Sequence, residues 1–593
     1  MKRILLLLGL LAGGVPAAAQ TGLTPLNDLG TGTYQGFQGG LYPGGQNFPP
    51  VAHFRAAMTR AAEVMPRDAA GAPDPQGFIG MIAVGMSNTT HEFGAFERNQ
   101  DRNGNRNARL LLMDTALGGQ TAAIISDPSA AYWTTMMQRV AAMGLTAAQV
   151  QVAWLKEADA HPPNDFPGHA TLLRNELAQV VQNLHTKFPN LKLCSLSSRI
   201  DGGYAPQGSL NPEPQAYESG FSVKWLIEAQ IAGDPALSYG QAGPAQAPLL
   251  LWGPYLWADG TNPRSDGLTW LLSDLEGDHT HPSAAGEEKV AGLLAAFFES
   301  DATAASWWRA RTDVGLVALD ALKDAHVSAA NPNMNFGNAT PLMEQGGASP
   351  IVPYLGFSVT GIARPVASAK LSLRVVDTGG GRVAAVADTS WSEGTITFAN
   401  APSVGTTLAN HPQASRDGTF AAAVTGNINA DADGALTLAL TTTATSPASY
   451  HSKEDGAAPR LVLAVSCAAS PDSDGDGHAD PCDCAPQDGS AFALPSEVVN
   501  LGWVDASTLA WNAQGGAAYE VMSGPLASVS VFSSDPADLC VASVTDATSA
   551  ADITPLPAPG QGRYFLVRAV NSCGESRWET SSQGRDRVSE ICR

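Results

Sequence analysis

The sequence predicts a multidomain protein, with one three-layer α/β domain followed by two all-β sandwich domains. Three observations carry this reading. The chain has 593 residues, more than one hydrophobic core accommodates. Residues 76–310 alternate short apolar runs with helix-period runs, which indicates a mostly parallel sheet covered on both faces. Beyond Trp307-Trp308 the texture becomes Thr, Ala, Val and Gly in short alternating runs separated by turn residues, the pattern of antiparallel sandwiches.

The elements follow in order. Residues 20–75 are rich in Gly, Pro and Asn and read as an irregular segment. Strands are expected at Phe78–Val84, Arg109–Met113, Val150–Leu155, Leu191–Leu196 and Pro248–Trp252. Helices are expected at Pro128–Met143, Ala170–Phe188, Phe221–Ile231 and Ser283–Glu299. Ser283 can cap the last of these, and Glu287 and Glu288 sit where the helix dipole favours negative charge. Residues 315–466 form the first sandwich, with strand-like runs at Lys370–Val376, Arg382–Val386, Thr395–Phe398 and Leu436–Leu440. Residues 467–495 are an acidic, Cys-bearing linker. Residues 498–593 read as the second sandwich, with runs at Asn500–Trp503, Thr508–Trp511, Tyr519–Met522 and Arg563–Val570.

Composition narrows the partners. Lys+Arg number 34 against 56 Asp+Glu, a net charge of −22, which argues against nucleic acid and anionic membranes because phosphate binding needs a basic face. Met1-Lys2-Arg3, the apolar run Ile4–Leu11 and Ala17-Ala18-Ala19 have the layout of a signal peptide over residues 1–19, with the mature chain starting at Gln20. No later run is apolar enough to span a bilayer, so a secreted protein with no transmembrane segment is expected, free or associated with a cell surface. Cysteine usage agrees with export. Cys194 stands alone in an apolar run and reads as a buried thiol. Cys467, Cys482, Cys484, Cys540, Cys573 and Cys592 cluster in the last 127 residues and read as up to three disulfides of open connectivity. Metal binding by Cys482-x-Cys484 is the weaker reading, because no second Cys/His pair stands at zinc spacing.

Chemistry concentrates at two places. Gly85-Met86-Ser87-Asn88 follows the first strand, and Gly277-Asp278-His279-Thr280-His281-Pro282 precedes the last helix of the domain. In wound α/β sheets functional groups collect outside the carboxyl ends of the strands, so both segments belong on one edge. A spacing of three lets one turn bring the Asp278 carboxylate to the His281 ring, leaving Nε2 free to take a proton from Ser87. Taken alone, Ser87 is also a good helix N-cap, and an Asp-x-x-His arises often by chance. Their order, and the α/β pattern between them, favour the catalytic reading. His91, one turn beyond Ser87, is an alternative base, and His279 reads as a loop residue.

These two blocks resemble the SGNH (GDSL-like) hydrolase superfamily over about residues 76–300. The resemblance implies a flavodoxin-like domain with Ser87 as nucleophile, His281 as base and Asp278 as its orienter. It also implies a glycine and an asparagine as oxyanion donors. Gly118-Gly119-Gln120-Thr121 follows the second strand, with Gly119 as the expected donor. The family's Gly-x-Asn-Asp after the third strand is absent. Val152-Ala153-Trp154-Leu155-Lys156-Glu157-Ala158-Asp159 stands there, leaving Lys156 or Gln120 to replace the asparagine.

Asn333-Met334-Asn335-Phe336-Gly337, Asp388–Phe398, Ala401-Pro402, Tyr450–Glu454 and Ala458–Leu461 together resemble the DNRLRE-type β-sandwich module, which implies polysaccharide binding. The alternative is a rigid spacer with Trp391 and Phe398 in its core. In the linker, Asp472, Asp474, Asp476, Asp480 and Asp483 place oxygens at positions 1, 3, 5, 9 and 12 of a calcium loop. Gly477 stands at position 6, and the His478 carbonyl serves position 7. Asp at position 12 resembles dockerin or thrombospondin type 3 loops. Structural Ca2+ is therefore expected, and no cofactor for catalysis. Trp511, Tyr519-Glu520-Val521 and Tyr564–Asn571 resemble a fibronectin type III domain, with a disulfide through Cys573 as reinforcement.

The expected function is a secreted serine esterase that removes O-acyl, such as acetyl, groups from a polysaccharide. Two other expectations stand beside it. One is a surface or matrix glycan-binding, adhesive protein with a degenerate hydrolase domain; the other is a lipase-like enzyme for acyl chains.

Overall fold

The computed structural model describes residues 20–206, 208–241, 243–309, 313–377, 379–526, 537–576, 578 and 592. The signal peptide read from the sequence lies outside the described residues. Five parallel strands form the first sheet: β1 (Ile79–Gly85), β2 (Leu110–Met113), β3 (Val150–Lys156), β4 (Leu193–Leu196) and β5 (Leu249–Trp252). Their order is β2-β1-β3-β4-β5, so the strand order reverses beside β1. That reversal opens a crevice at the carboxyl ends of the strands.

Each strand side chain alternates between two cores. Ile82 and Val84 of β1 face one cluster with helices α3 (Ala131–Ala142), α4 (Gly168–Lys187) and α5 (Gln215–Ile231). Ile79, Met81 and Ala83 face the other, packed by α1 (Val51–Ala62), α2 (Ser87–Gln100), α6 (Ala284–Ser300) and α7 (Ala302–Trp308). Burial on both faces explains why these strands read as continuous apolar runs. Ser283 caps α6 by accepting from the Gly286 N–H. Helices Val51–Ala62 and Ala302–Trp308 were not expected. Val51–Ala62 lies in the segment read as irregular, where Gly and Pro on either side mask a short run whose Phe54, Ala57 and Ala61 are buried.

Residues 314–466 form two antiparallel sheets. In the first, Leu342–Glu344, Ala448–Tyr450, Ser368–Asp377, Arg460–Ser466 and Val314–Asp320 are neighbours in that order, and Thr419–Ala423 also pairs with Ser368–Asp377. In the second the order is Thr407–Ala414, Gly379–Val386, Ala435–Thr441, Ile351–Ser358 and Lys323–Ser328. The run Thr395–Phe398 is not a strand but turns and loop, held by Asn400 accepting from the Thr397 N–H and donating to the Thr395 carbonyl. Trp391 is buried, and its N–H donates to Thr437 Oγ1 at 3.1 Å. It serves the core of the module and offers no flat exposed ring to a sugar. The C-terminal region has a three-stranded and a four-stranded antiparallel sheet. Disulfides Cys467–Cys482, Cys484–Cys573 and Cys540–Cys592 tie linker to linker, linker to tail and tail to tail, and Cys194 is a buried free thiol. Among the described residues no helix is long and apolar enough to cross a membrane.

The sandwich docks on α2 through buried charge. Lys370 Nζ lies 2.9 Å from Glu97 Oε1 and 2.8 Å from Asp101 Oδ1, all three side chains under a tenth exposed. Burial alone would depress the ammonium, but the two carboxylates overcome it and hold its pKa up. Arg374 and Arg98 meet on Glu287 at 3.1 and 3.5 Å. Arg139, from α3, donates to the Gln413 carbonyl and to the Asp114 and Ala116 carbonyls.

Removing Lys370 strands two buried carboxylates, a loss of about 3–5 kcal/mol by analogy with broken buried pairs. Lys370→Met is expected to lower the melting temperature markedly in calorimetry. The triple variant Lys370→Met, Glu97→Gln, Asp101→Asn should recover much of that loss.

Several buried carboxyls titrate late. Burial raises Asp114, Glu287 and Asp324 to about 7 and Asp201 to about 8, against ordinary values of 3.8 to 4.5. Between about pH 4 and 8 these four groups therefore hold more protons in the folded chain than in the unfolded one, and their contribution to stability falls as pH rises through that window. A thermal scan should show a melting temperature several degrees higher at pH 5 than at pH 8.5; equal values would contradict this.

Candidate active site

β1 ends in Gly85, and α2 begins at Ser87. Gly85 has φ +156°, and a Cβ there would lie 2.2 Å from the Lys156 carbonyl and 2.3 Å from Thr89 Oγ1, so only glycine fits the turn. The turn sets Ser87 at the first position of α2, where the first-turn N–H groups have no partner within the helix. Ser87 Oγ lies 2.8 Å from His281 Nε2, and His281 Nδ1 lies 2.5 Å from Asp278 Oδ2. Sequence reading named these three residues, and the fold brings them together.

The loop carrying Asp278 and His281 is fixed locally. Asp278 Oδ1 accepts from the Thr280 and His281 N–H groups, both at 3.0 Å, and the Glu276 N–H donates to the His281 carbonyl at 2.8 Å. Asn88 Nδ2 donates to the Thr280 carbonyl at 3.0 Å, pinning the loop to α2. Asn88 stands next to the serine in the sequence, but nothing in its spacing reveals this role. Partial burial alone would raise the Asp278 pKa; the His281 and Thr280 donors outweigh it and bring it down to about 2. Asp278 is thus a carboxylate at working pH, suited to hold an Nδ1–H tautomer and leave Nε2 as the acceptor. The His91 ring lies 5.4 Å from that of His281, centroid to centroid. Burial, with the charge of His281, drives its pKa down to about 4, although Asp417 opposes this. A neutral His91 puts no charge beside an imidazolium formed at His281.

The expected oxyanion residues fare differently. A Cβ placed on Gly118 would be 3.7 Å from Ser87 Cβ, whereas one on Gly119, at φ +75°, would meet nothing within 4 Å. Gly118 therefore packs against Ser87, while the space beside Gly119 is open. The Gln120 N–H turns back to the Leu117 carbonyl at 3.3 Å, and among the described residues its side chain has no contact with Ser87. Lys156 is buried, and its ammonium is bonded to both carboxylate oxygens of Glu92. Among the described residues the Lys156 side chain pairs with Glu92 and makes no hydrogen bond to Ser87. Glu157 is also buried, with Oε1 accepting from the Ala158 N–H.

The sandwich reaches this edge. The loop after strand Thr407–Ala414 carries Ser415, Arg416, Asp417 and Gly418. The Gly118 N–H donates to Ser415 Oγ at 3.1 Å. Arg416 bonds Glu276 at 2.7 Å and Asp417 at 3.0 Å. His91, Glu276 and Asp417 also cluster as potential metal ligands, but Arg416 already supplies the positive charge there. The contacts of Gly118 with Ser415 and of Arg416 with Glu276 were not legible in the sequence, since the partners lie 297 and 140 positions apart.

In the linker, Asp472, Asp474 and Asp476 bring carboxylate oxygens within 4.8 Å of one another. Gly475 and Gly477, at φ +79° and +94°, allow the bend. Asp472 accepts from the Gly475 and Gly477 N–H groups. Asp474, Asp476 and Asp483 each keep one buried carboxylate oxygen with no hydrogen-bond partner. These orphaned oxygens fit an oxygen-seeking cation. The His478 ring stacks on Phe492 at 3.7 Å. Asp480 turns away and accepts from Ser473 N–H and Oγ.

Comparison with known families matches residues 316–465 to carbohydrate-binding module family 96. This span falls inside the 315–466 module read from the sequence. Among solved structures, the protein YxiM from Bacillus subtilis is similar at 11% identity and a TM-score of 0.22, covering 38% of this chain and 58% of that one. An extracellular lipase from Streptomyces rimosus is similar at 11% identity and a TM-score of 0.20, covering 37% of this chain and 99% of that one. Scores this low do not support a shared fold. A comparison with curated proteins gives no match.

Proposed function

We propose that this chain is an exported serine esterase of SGNH type that removes O-acyl groups from a polysaccharide. The observation that carries the reading is the continuous relay Ser87 Oγ, His281 Nε2, His281 Nδ1, Asp278 Oδ2 at 2.8 and 2.5 Å on the sheet edge. The carbohydrate-binding module packed against that edge supports a glycan as the carrier of the ester. Export is supported by the N-terminal segment and by the three disulfides.

In the reaction, Ser87 Oγ attacks the acyl carbon while its proton passes to His281 Nε2. The carbonyl electron pair moves onto oxygen, and the tetrahedral species collapses as His281 protonates the departing sugar hydroxyl. Water, deprotonated by the same imidazole, then attacks the acyl-enzyme and releases the acid. Asp278 holds the ring and stabilises the imidazolium without taking the proton.

A fluorophosphonate probe should label Ser87, and Ser87→Ala should lose both labelling and hydrolysis of short-acyl esters. Asp278→Asn should slow turnover by about 10³–10⁴-fold, because the ring loses its tautomer. Persistent labelling of Ser87→Ala would sink the assignment. Glycan binding without any turnover by the wild type would instead favour an adhesive protein.

The linker is proposed to hold a structural Ca2+ through Asp472, Asp474, Asp476 and Asp483, with the His478 carbonyl as a further ligand. Its role would be to stiffen the connection between the module and the tail. Chelator is expected to lower the melting temperature of a calcium-loaded sample. Asp474→Ala should lose that response while esterase activity is kept.

A further inference from the structure

We propose that Ser415, delivered by the carbohydrate-binding module, is an oxyanion donor of the site beside Ser87; this rests on the esterase reading of Ser87. The end of β3, where the resemblance implies an asparagine, offers Lys156 and Glu157. The Lys156 ammonium is bonded to Glu92, and Glu157 is bonded to its own neighbour's N–H. The side chains at the end of β3 are thus bonded to partners other than Ser87.

Ser415 suits a developing negative oxygen in place and in chemistry. Gly118 is the common neighbour of the two serines. A Cβ on Gly118 would lie 3.6 Å from Ser415 Oγ and 3.7 Å from Ser87 Cβ. A serine hydroxyl has one donor and two acceptor positions. One acceptor position takes the Gly118 N–H at 3.1 Å, and among the described residues nothing accepts the Ser415 O–H. Accepting a hydrogen bond polarises the hydroxyl and strengthens it as a donor. Ser415 is 8% exposed, so its O–H acts at the dry edge of the site, where a hydrogen bond to an oxyanion is strong.

The loop is preorganised, as oxyanion stabilisation requires. Arg139 holds the Gln413 carbonyl before it, Arg416 is tied to Glu276, and Arg374 holds Asp417 at 3.3 Å. Gly418 packs so closely that a Cβ would lie 2.5 Å from Thr90 Cγ2 and 2.8 Å from Asp114 Oδ2. In the tetrahedral species the former carbonyl oxygen accepts from the Ser87 N–H and from the Ser415 O–H. No proton is transferred to it, and the hydroxyl keeps its hydrogen throughout.

The test uses the full chain with p-nitrophenyl acetate as the probe. Ser415→Ala should lower kcat by about 10²-fold with KM within two-fold, the size of effect known for removal of one donor. Thr and Val at the same position match in shape and differ only in the hydroxyl, which covers the case where Ala loosens the docking. Ser415→Thr should keep most of kcat, and Ser415→Val should fall with Ala. Equal kcat in the Thr and Val variants, with an active wild type labelled at Ser87, overturns the role of Ser415 alone. A wild type neither labelled at Ser87 nor active overturns the esterase reading and this role with it.

Discussion

Helix α2 is the constraint on which the rest of the molecule depends. Its first residue is Ser87, and most of the residues after it are buried. A helix buried all round has no solvated face on which to place its polar groups, so each needs a partner. Asn88 finds the Thr280 carbonyl, Thr89 the Lys156 carbonyl, Glu92 the Lys156 ammonium and Glu97 the Lys370 ammonium. The same helix therefore holds the acid-base loop at one end and the carbohydrate-binding module at the other. A shift of α2 would be felt at the nucleophile and at the domain interface together.

Buried charge at that interface favours geometry over raw stability. Taking Lys370, Glu97, Asp101 and Glu287 out of water is unfavourable, and their pairing offsets much of it. What the pairs supply is register, because a slip of the sandwich by one residue would leave carboxylates buried without a cation. Register matters here because the loop at 415–418 ends beside Ser87. A module joined only by a flexible linker would raise the local concentration of substrate. This module is packed on the edge that carries Ser87, where Ser415 accepts from the Gly118 N–H.

The electrostatics of the site divide into two zones. Asp278, half exposed and held by N–H donors, stays ionised. His91, buried beside His281, stays neutral at ordinary pH. A carboxylate and a neutral imidazole therefore flank the His281 ring. Arg416 is occupied by Glu276 and Asp417.

The sequence by itself determined the α/β order, the strand runs of the α/β domain within a residue or two, the even set of cysteines, and Ser87, Asp278 and His281 as one group. These are local signals. Apolar period gives the faces, a glycine marks a turn that no Cβ tolerates, and three residues of spacing let a carboxylate reach a ring. Tertiary structure alone decided that Gly118 abuts Ser87, that Lys156 is bonded to Glu92, and that Trp391 is core. It also brought Ser415 to the edge that carries Ser87. Those outcomes depend on which side chains meet inside the fold, and on contacts between positions 46 to 297 residues apart. Neither leaves a periodic or short-range trace in the chain, because each is fixed by how two finished surfaces dock.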